Sequence, residues 1–143
     1  MTTNTAGTSA RQDPRQVLNT IKRTLNYNDS DKATAAIGTL PNGNPIPQSA
    51  FIIDCLVEVV TAFNAGTTNT LSIGTNSASF NNIVIVTDVD LTTAGVTRIS
   101  RGAGRSLTNT ADTGAYAILT VSGVAATAGQ AVITITYDGG FSS

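Results

Sequence analysis

The sequence has no histidine and no tryptophan, a single cysteine, and charged residues at only 12% of its positions. Each absence removes a class of chemistry. Without imidazole, a general base near neutral pH, an activated nucleophile or a metal site must be built from other groups. One thiol cannot staple the fold, so stability must come from the core or from assembly. Cys55 lies in an apolar strand pattern, where a small buried hydrophobe is the ordinary reading, and Asp54 and Glu58 beside it would raise its pKa. Serines and threonines are plentiful, yet none has an adjacent base to activate it. Glycan binding draws on aromatic platforms, and the chain offers only Tyr27, Tyr116 and Tyr137 for one. The expectation is a structural or binding protein, not an enzyme, with no cofactor and no metal.

What the chain does contain is short Val/Ile runs separated by Thr, Asn, Gly and Ala. Its 143 residues suffice for one domain with a real core. The net charge of −1 gives no global field toward nucleic acid or an acidic membrane, so neither is expected as a partner. The charge is unevenly spread, +2 up to Lys32 and −3 over the remainder. A mildly basic arm on an acidic body would help the arm find an acidic neighbour, another copy included; ordinary scatter in a weakly charged chain is the simpler explanation. Met1 to Ala10 are Thr-rich, polar and uncharged, unlike a secretory leader. The longest apolar stretch, Phe51 to Val60, is too short and too charged to span a bilayer. A soluble protein made in the cytosol is expected.

Residues 1 to 14 form a low-complexity segment too polar to order itself, so it is expected to lie on a partner subunit. From Pro14 to Tyr27 two patterns compete. Val17, Leu18, Ile21 and Leu25 share a helical face, whereas Ile21, Arg23, Leu25 and Tyr27 alternate as in a strand. A helical turn over Arg15 to Asn19 followed by a strand from Thr20 to Tyr27 accommodates both. Further strands are predicted over Ala33 to Leu40 and over Phe51 to Phe63, the latter with Ile53, Cys55, Val57, Val59 and Phe63 on one face. Asn69 to Gly74 should pair back on it as a hairpin with Leu71 and Ile73 inward, and Ile83 to Val86 reads as a short core strand. Val89 to Gly95 reads as irregular, and Val96 to Ser100 as an edge strand carrying Arg98. Ala115 to Ser122 and Gln130 to Tyr137 read as a terminal hairpin, with Ala131, Ile133, Ile135 and Tyr137 alternating. The sum is an all-β fold, a seven- to eight-stranded, jelly-roll-like β-sandwich over residues 20–143, with an extended N-terminal arm over 1–19.

Three clusters merit a chemical reading. Asp88 and Asp90, two apart on an extended chain, would point the same way, as a Ca²⁺ site or an acid/base pair requires. A hard cation wants more oxygens than this stretch supplies, and turn formation explains the pair more simply. Gly102-Ala-Gly-Arg105 resembles part of a phosphate loop but lacks the Lys-Ser/Thr and the following helix. Arg98, Arg101 and Arg105 suit either a partner-facing cluster or solvated loop charge. Arg11, Arg15, Arg98 and Arg101 are the residues expected at a partner interface.

The stretches Gly38 to Pro47 (GTLPNGNPIP), Ile52 to Thr75 (IIDCLVEVVTAFNAGTTNTLSIGT) and Ala125 to Tyr137 (AATAGQAVITITY) resemble small virion proteins of tailed bacteriophages. These are head decoration (cement) and head-fibre-type proteins. The resemblance spans Gly38 to Tyr137 and leaves the arm unmatched. It implies a sandwich that clamps neighbouring major capsid proteins on the outside of a head, and it carries no active site to transfer. The expected partners are the major capsid protein and further copies of the chain, as a trimer ahead of a dimer, in the virion. A receptor- or glycan-binding β module of a phage tail or baseplate is the alternative.

Overall fold

Strict alternation of apolar and polar residues sets the period of two that a half-buried strand requires. The last strand shows it most plainly, with Ala131, Ile133, Ile135 and Tyr137 buried between partly exposed neighbours. The structure, a computed structural model, describes residues 18–37, 46, 50–76, 78–100 and 114–138. Seven strands occupy those residues: β1 (Leu18–Asn26), β2 (Ala35–Ile37), β3 (Phe51–Thr61), β4 (Thr68–Gly74), β5 (Gly95–Ser100), β6 (Ala115–Ser122) and β7 (Gln130–Asp138). They form two antiparallel sheets, ordered β1-β7-β3-β5 and β2-β6-β4. The expected all-β sandwich is therefore observed.

The pairing is nested. β1 pairs with β7, β2 with β6 and β3 with β5, and Ile73 of β4 makes a single antiparallel bridge to Val84. The chain is thus one long hairpin folded at residues 75–82 and then rolled, which is the jelly-roll arrangement. Rolling brings β7 against β3 and β6 against β4. It also sends each strand to the sheet opposite its predecessor. The expected local hairpins, β4 back onto β3 and β7 back onto β6, are accordingly not formed. A turn flanked by two apolar runs looks the same in sequence whether the chain doubles back or crosses to the facing sheet. The expected strand at Ile83 to Val86 shrinks to the bridge at Val84, with Ile83 and Val84 buried and Val86 half exposed.

Three other expectations change in detail. Leu18 and Asn19 are strand, paired to Asp138 and Tyr137, not the end of a helical turn; residues 15–17 lie outside the described residues. A β-bulge between Ile52 and Asp54 inserts Ile53 as an extra residue, so Ile52, 1% exposed, takes the core position predicted for Ile53. The predicted strand over Ala33 to Leu40 begins with a 3₁₀ turn at Lys32–Thr34 and is extended at Ala35–Ile37.

The core lies between the sheets in register-defined rows. One runs Ile21, Ile135, Cys55, Ile99 across the four-stranded sheet, and the next runs Arg23, Ile133, Val57, Thr97. The facing sheet contributes Ile37, Ile73, Leu71 and Leu119 beside Ala35, Ala115 and Ala117. Small residues opposite large ones let the layers interdigitate, and each buried Ile or Leu contributes about 1.5–3 kcal/mol. Ile46, Val89 and Leu91 add loop residues to the same core.

At one end of the sandwich the β3–β4 and β6–β7 connections are zipped together. Gly66 N–H donates to Val124 O and Thr67 N–H to Ser122 O, both at 2.9 Å. The Asn64 side chain accepts from the Thr127 and Ala128 amides at 2.9 and 3.0 Å, and donates to Thr127 Oγ1 at 2.8 Å. Asn69 does the same for Ala65, accepting from its amide and donating to its carbonyl. Asparagine thus supplies, in these corners, the pairing that a ladder supplies within a sheet.

Candidate interaction surfaces

The outer face of the four-stranded sheet carries the charge. Its central row reads Lys22, Thr134, Leu56, Arg98, and the adjacent row Thr24, Val132, Glu58, Val96. Asp54 is on the same face, where its Oδ2 accepts from Arg98 Nε at 2.7 Å. The carboxylate is mostly covered, at 14% side-chain exposure, whereas the Arg98 side chain is 69% exposed. Arg98 is thereby pinned at one edge of its guanidinium and open to solvent elsewhere. Asp54 Oδ1 is buried without a hydrogen-bond partner, so Arg98 supplies the compensation this carboxylate receives. Val96, on β5, is 62% exposed and Val60, on β3, 47%. Of the four arginines expected at an interface, the structure places Arg98 here; Arg11, Arg15 and Arg101 lie outside the described residues, as does Arg105.

Arg23 is the residue that charge counting alone missed. The alternation Ile21, Arg23, Leu25 puts it on the core side of β1, so the signal was a cation inside an apolar face, which must find partners. It spans the gap between the sheets, donating from Nη1 to the Ala36 carbonyl of β2 and from Nη2 to Asp31 Oδ1, both at 2.9 Å. Asp29 Oδ2 stands 3.9 Å away. The hydrogen bond from Arg23 holds the Asp31 carboxyl below the usual carboxylate range, against a small opposing effect of burial. Because that pKa is depressed in the fold, the pair's stability is present above about pH 4 and is lost as pH falls through the folded value. Replacing Arg23 with alanine is expected to cost about 2 kcal/mol and to weaken this acid-side dependence. Urea titrations at pH 7 and pH 3, with hydrogen exchange at the β2 amides, check it; unchanged protection of β2 would refute the bridge.

The outer face of the three-stranded sheet is uncharged, with Thr68, Thr70, Ile118, Thr120 and Ser122 paired across it. The apex of the long hairpin folds over one end. There Asn76 Oδ1 accepts from the Asn81 and Asn82 amides, and Asn82 pairs with Thr75 through Oδ1 and Nδ2. A side chain on Gly74 would collide with both Asn76 and Asn82, so this position requires glycine for close approach. Phe80, held at φ 40°, packs on Tyr116 with ring centroids 4.8 Å apart.

The three tyrosines do not converge. Tyr137 is in the core, where burial pushes its phenol up, and Tyr116 lies beneath Phe80. Tyr27 borders an open groove of about 410 Å³ with Lys32, Ala65, Val121 and Val124. The two aspartates of the Thr87 to Asp90 stretch serve their own turns. Asp88 Oδ2 accepts from the Ile85 amide at 3.0 Å. Asp90 accepts from the amide and hydroxyl of Thr92 and from the hydroxyl of Thr93, which lowers its pKa, the Thr92 side chain contributing most. Among the described residues no helix is long and apolar enough to cross a membrane.

No protein-family model matches the sequence, and no curated protein does. Solved structures do share the fold. A chain in the acid-stable capsid structure of Helicobacter pylori bacteriophage KHP30 matches with a TM-score of 0.60 at 17% identity, over 85% of this chain and 86% of that one. A chain in the cyanophage Pam1 capsid asymmetric unit matches with 0.59 at 14% identity, over 84% and 83%. One in the capsid of Ralstonia phage GP4 matches with 0.59 at 15% identity, over 88% and 85%. At these identities the likeness is one of fold: this chain has the jelly roll found in chains of three phage capsid structures.

Proposed function

We propose that this chain is a non-enzymatic virion protein that binds the assembled capsid shell as a decoration or cement protein on its outer surface. The observation that carries the reading is the near end-to-end likeness of the sandwich to chains in three phage capsid structures. The composition supports it. Low charge limits the salt sensitivity of an interface, and the Thr- and Asn-rich surface offers many neutral hydrogen-bonding groups. A protein that binds the closed lattice in preference to free subunits stabilises the shell by mass action. In this reading the segment ahead of β1 is an extended arm that reaches a neighbouring copy or shell subunit, with Arg11 and Arg15 at the contact, and the chain acts as a homo-oligomer, a trimer ahead of a dimer.

Add-back to particles assembled without this chain tests the proposal. Cryo-EM is expected to show density repeated over the icosahedral shell. A truncation lacking residues 1–14 is expected to keep the thermal transition of the full chain, since all seven strands begin at or beyond Leu18, and to lose at least tenfold in particle affinity. Density confined to the tail or to one vertex would overturn the decoration reading.

A further inference from the structure

The sandwich has four strand edges, and three of them make hydrogen bonds outside their own sheet. From β1 the Arg23 side chain reaches across to the Ala36 carbonyl of β2. β2 is only three residues long and lies under the same arginine. β4 meets the apex segment at Ile73, which exchanges hydrogen bonds with Val84 and accepts one from the Ile83 amide. β5 is the exception. Its only sheet neighbour is β3, and among the described residues no other backbone group hydrogen-bonds to Gly95–Ser100. It contains no proline, its one charged residue is Arg98, and it exposes Val96. An open edge of six residues is a template for another strand.

We propose that β5 docks an extended acidic segment of the shell protein by strand addition; the inference rests on the decoration reading above. Arg98 sets the partner's chemistry. Asp54 pins its Nε, and the side chain is still 69% exposed, so a carboxylate opposite it on the added strand would pair. Val96, two residues away on the same face, calls for an aliphatic neighbour. Glu58 lies directly across β3 from Val96 and repels a carboxylate placed there. The docked strand therefore reads aliphatic, any residue, acidic, and Glu58 penalises the register slipped by two. The outer strands of a second copy's four-stranded sheet, and the segment ahead of them, do not meet this requirement. β5 contains no acidic residue, β1 brings Lys22 on its outer face, and the segment before β1 carries Asp13 between Arg11 and Arg15. Each would bring a cation against or beside Arg98.

The test uses the full chain and particles assembled without it. Val96→Glu, at an exposed position, and the double change Arg98→Gln with Asp54→Asn, which leaves no unpaired carboxylate, are each expected to weaken shell binding at least tenfold. Thr120→Glu on the opposite sheet is expected to change it less than twofold. Hydrogen exchange at the β5 amides should slow when the wild-type chain binds. Equal binding of wild type and Val96→Glu, without β5 protection, would overturn the docking inference and leave the decoration reading standing. Failure of the wild-type chain to bind would overturn both. A smaller sedimentation mass for Val96→Glu in the absence of particles would assign the edge to a second copy and also overturn the acidic-partner inference.

Discussion

Gly129→Ala is expected to destabilise the protein by about 3–4 kcal/mol, which corresponds to a fall of roughly 10 °C in the thermal midpoint. Gly129 has φ 147°, a conformation L side chains rarely adopt, and a Cβ there would overlap the Phe63 ring. The collision cannot relax cheaply, because Phe63 is 2% exposed and its amide is tied to the Leu91 carbonyl at 2.9 Å. Gly95→Ala separates the two contributions. Its φ of 156° carries the same kind of backbone strain, but nothing stands within 4 Å of the added atom, so a loss of about 1 kcal/mol is expected. Chemical denaturation of the two variants side by side is the measurement. Equal losses would show that contact between the two corners contributes nothing.

A fall in stability above pH 9 is the second large expected effect. Burial, with a smaller contribution from the Asp54 charge, pushes the Cys55 thiol from an ordinary value near 9 up to about 12. A pKa raised in the folded state means that the protonated form is the stable one. Its contribution is complete below pH 9 and is lost progressively as pH rises toward 12. Three units of displacement correspond to about 4 kcal/mol at the end of that window, an order-of-magnitude figure. Burial of Tyr137 acts in the same direction. Denaturant titrations from pH 7 to pH 11.5 should show wild-type stability falling while Cys55→Ala, weaker by about 1 kcal/mol at pH 7, falls much less. Parallel curves for the two proteins would reject the thiol as the cause. The same burial makes Cys55 inert to thiol reagents until the chain unfolds.

Much of the fold was legible because its signals are local. The alternation from Gln130 to Tyr137 depends on nothing beyond the strand itself, and every inward position predicted there is buried. Arg98 on an edge strand was legible for a related reason, since a central strand rarely tolerates an unpaired cation. The bulge at Ile53 was not, because an extra residue leaves both alternations plausible and only the register with β7 chooses between them. Arg23 was visible in the sequence as a cation on an apolar face. Its partners, thirteen and eight residues further along, were not.

The sequence by itself determined the class of the protein. Short β-branched runs and Asn, Gly and Thr turns make strands, and the missing imidazole removes most catalytic chemistry, because both follow from single residues and their nearest neighbours. Only the tertiary structure decided the partners of each strand. The crossing from β3 to β4 and from β6 to β7, the nesting of β1 against β7, and the edge left open at β5 are all products of long-range closure. A turn specifies that the chain changes direction. Which sheet receives the next strand depends on how the whole hairpin rolls to bury both apolar faces at once.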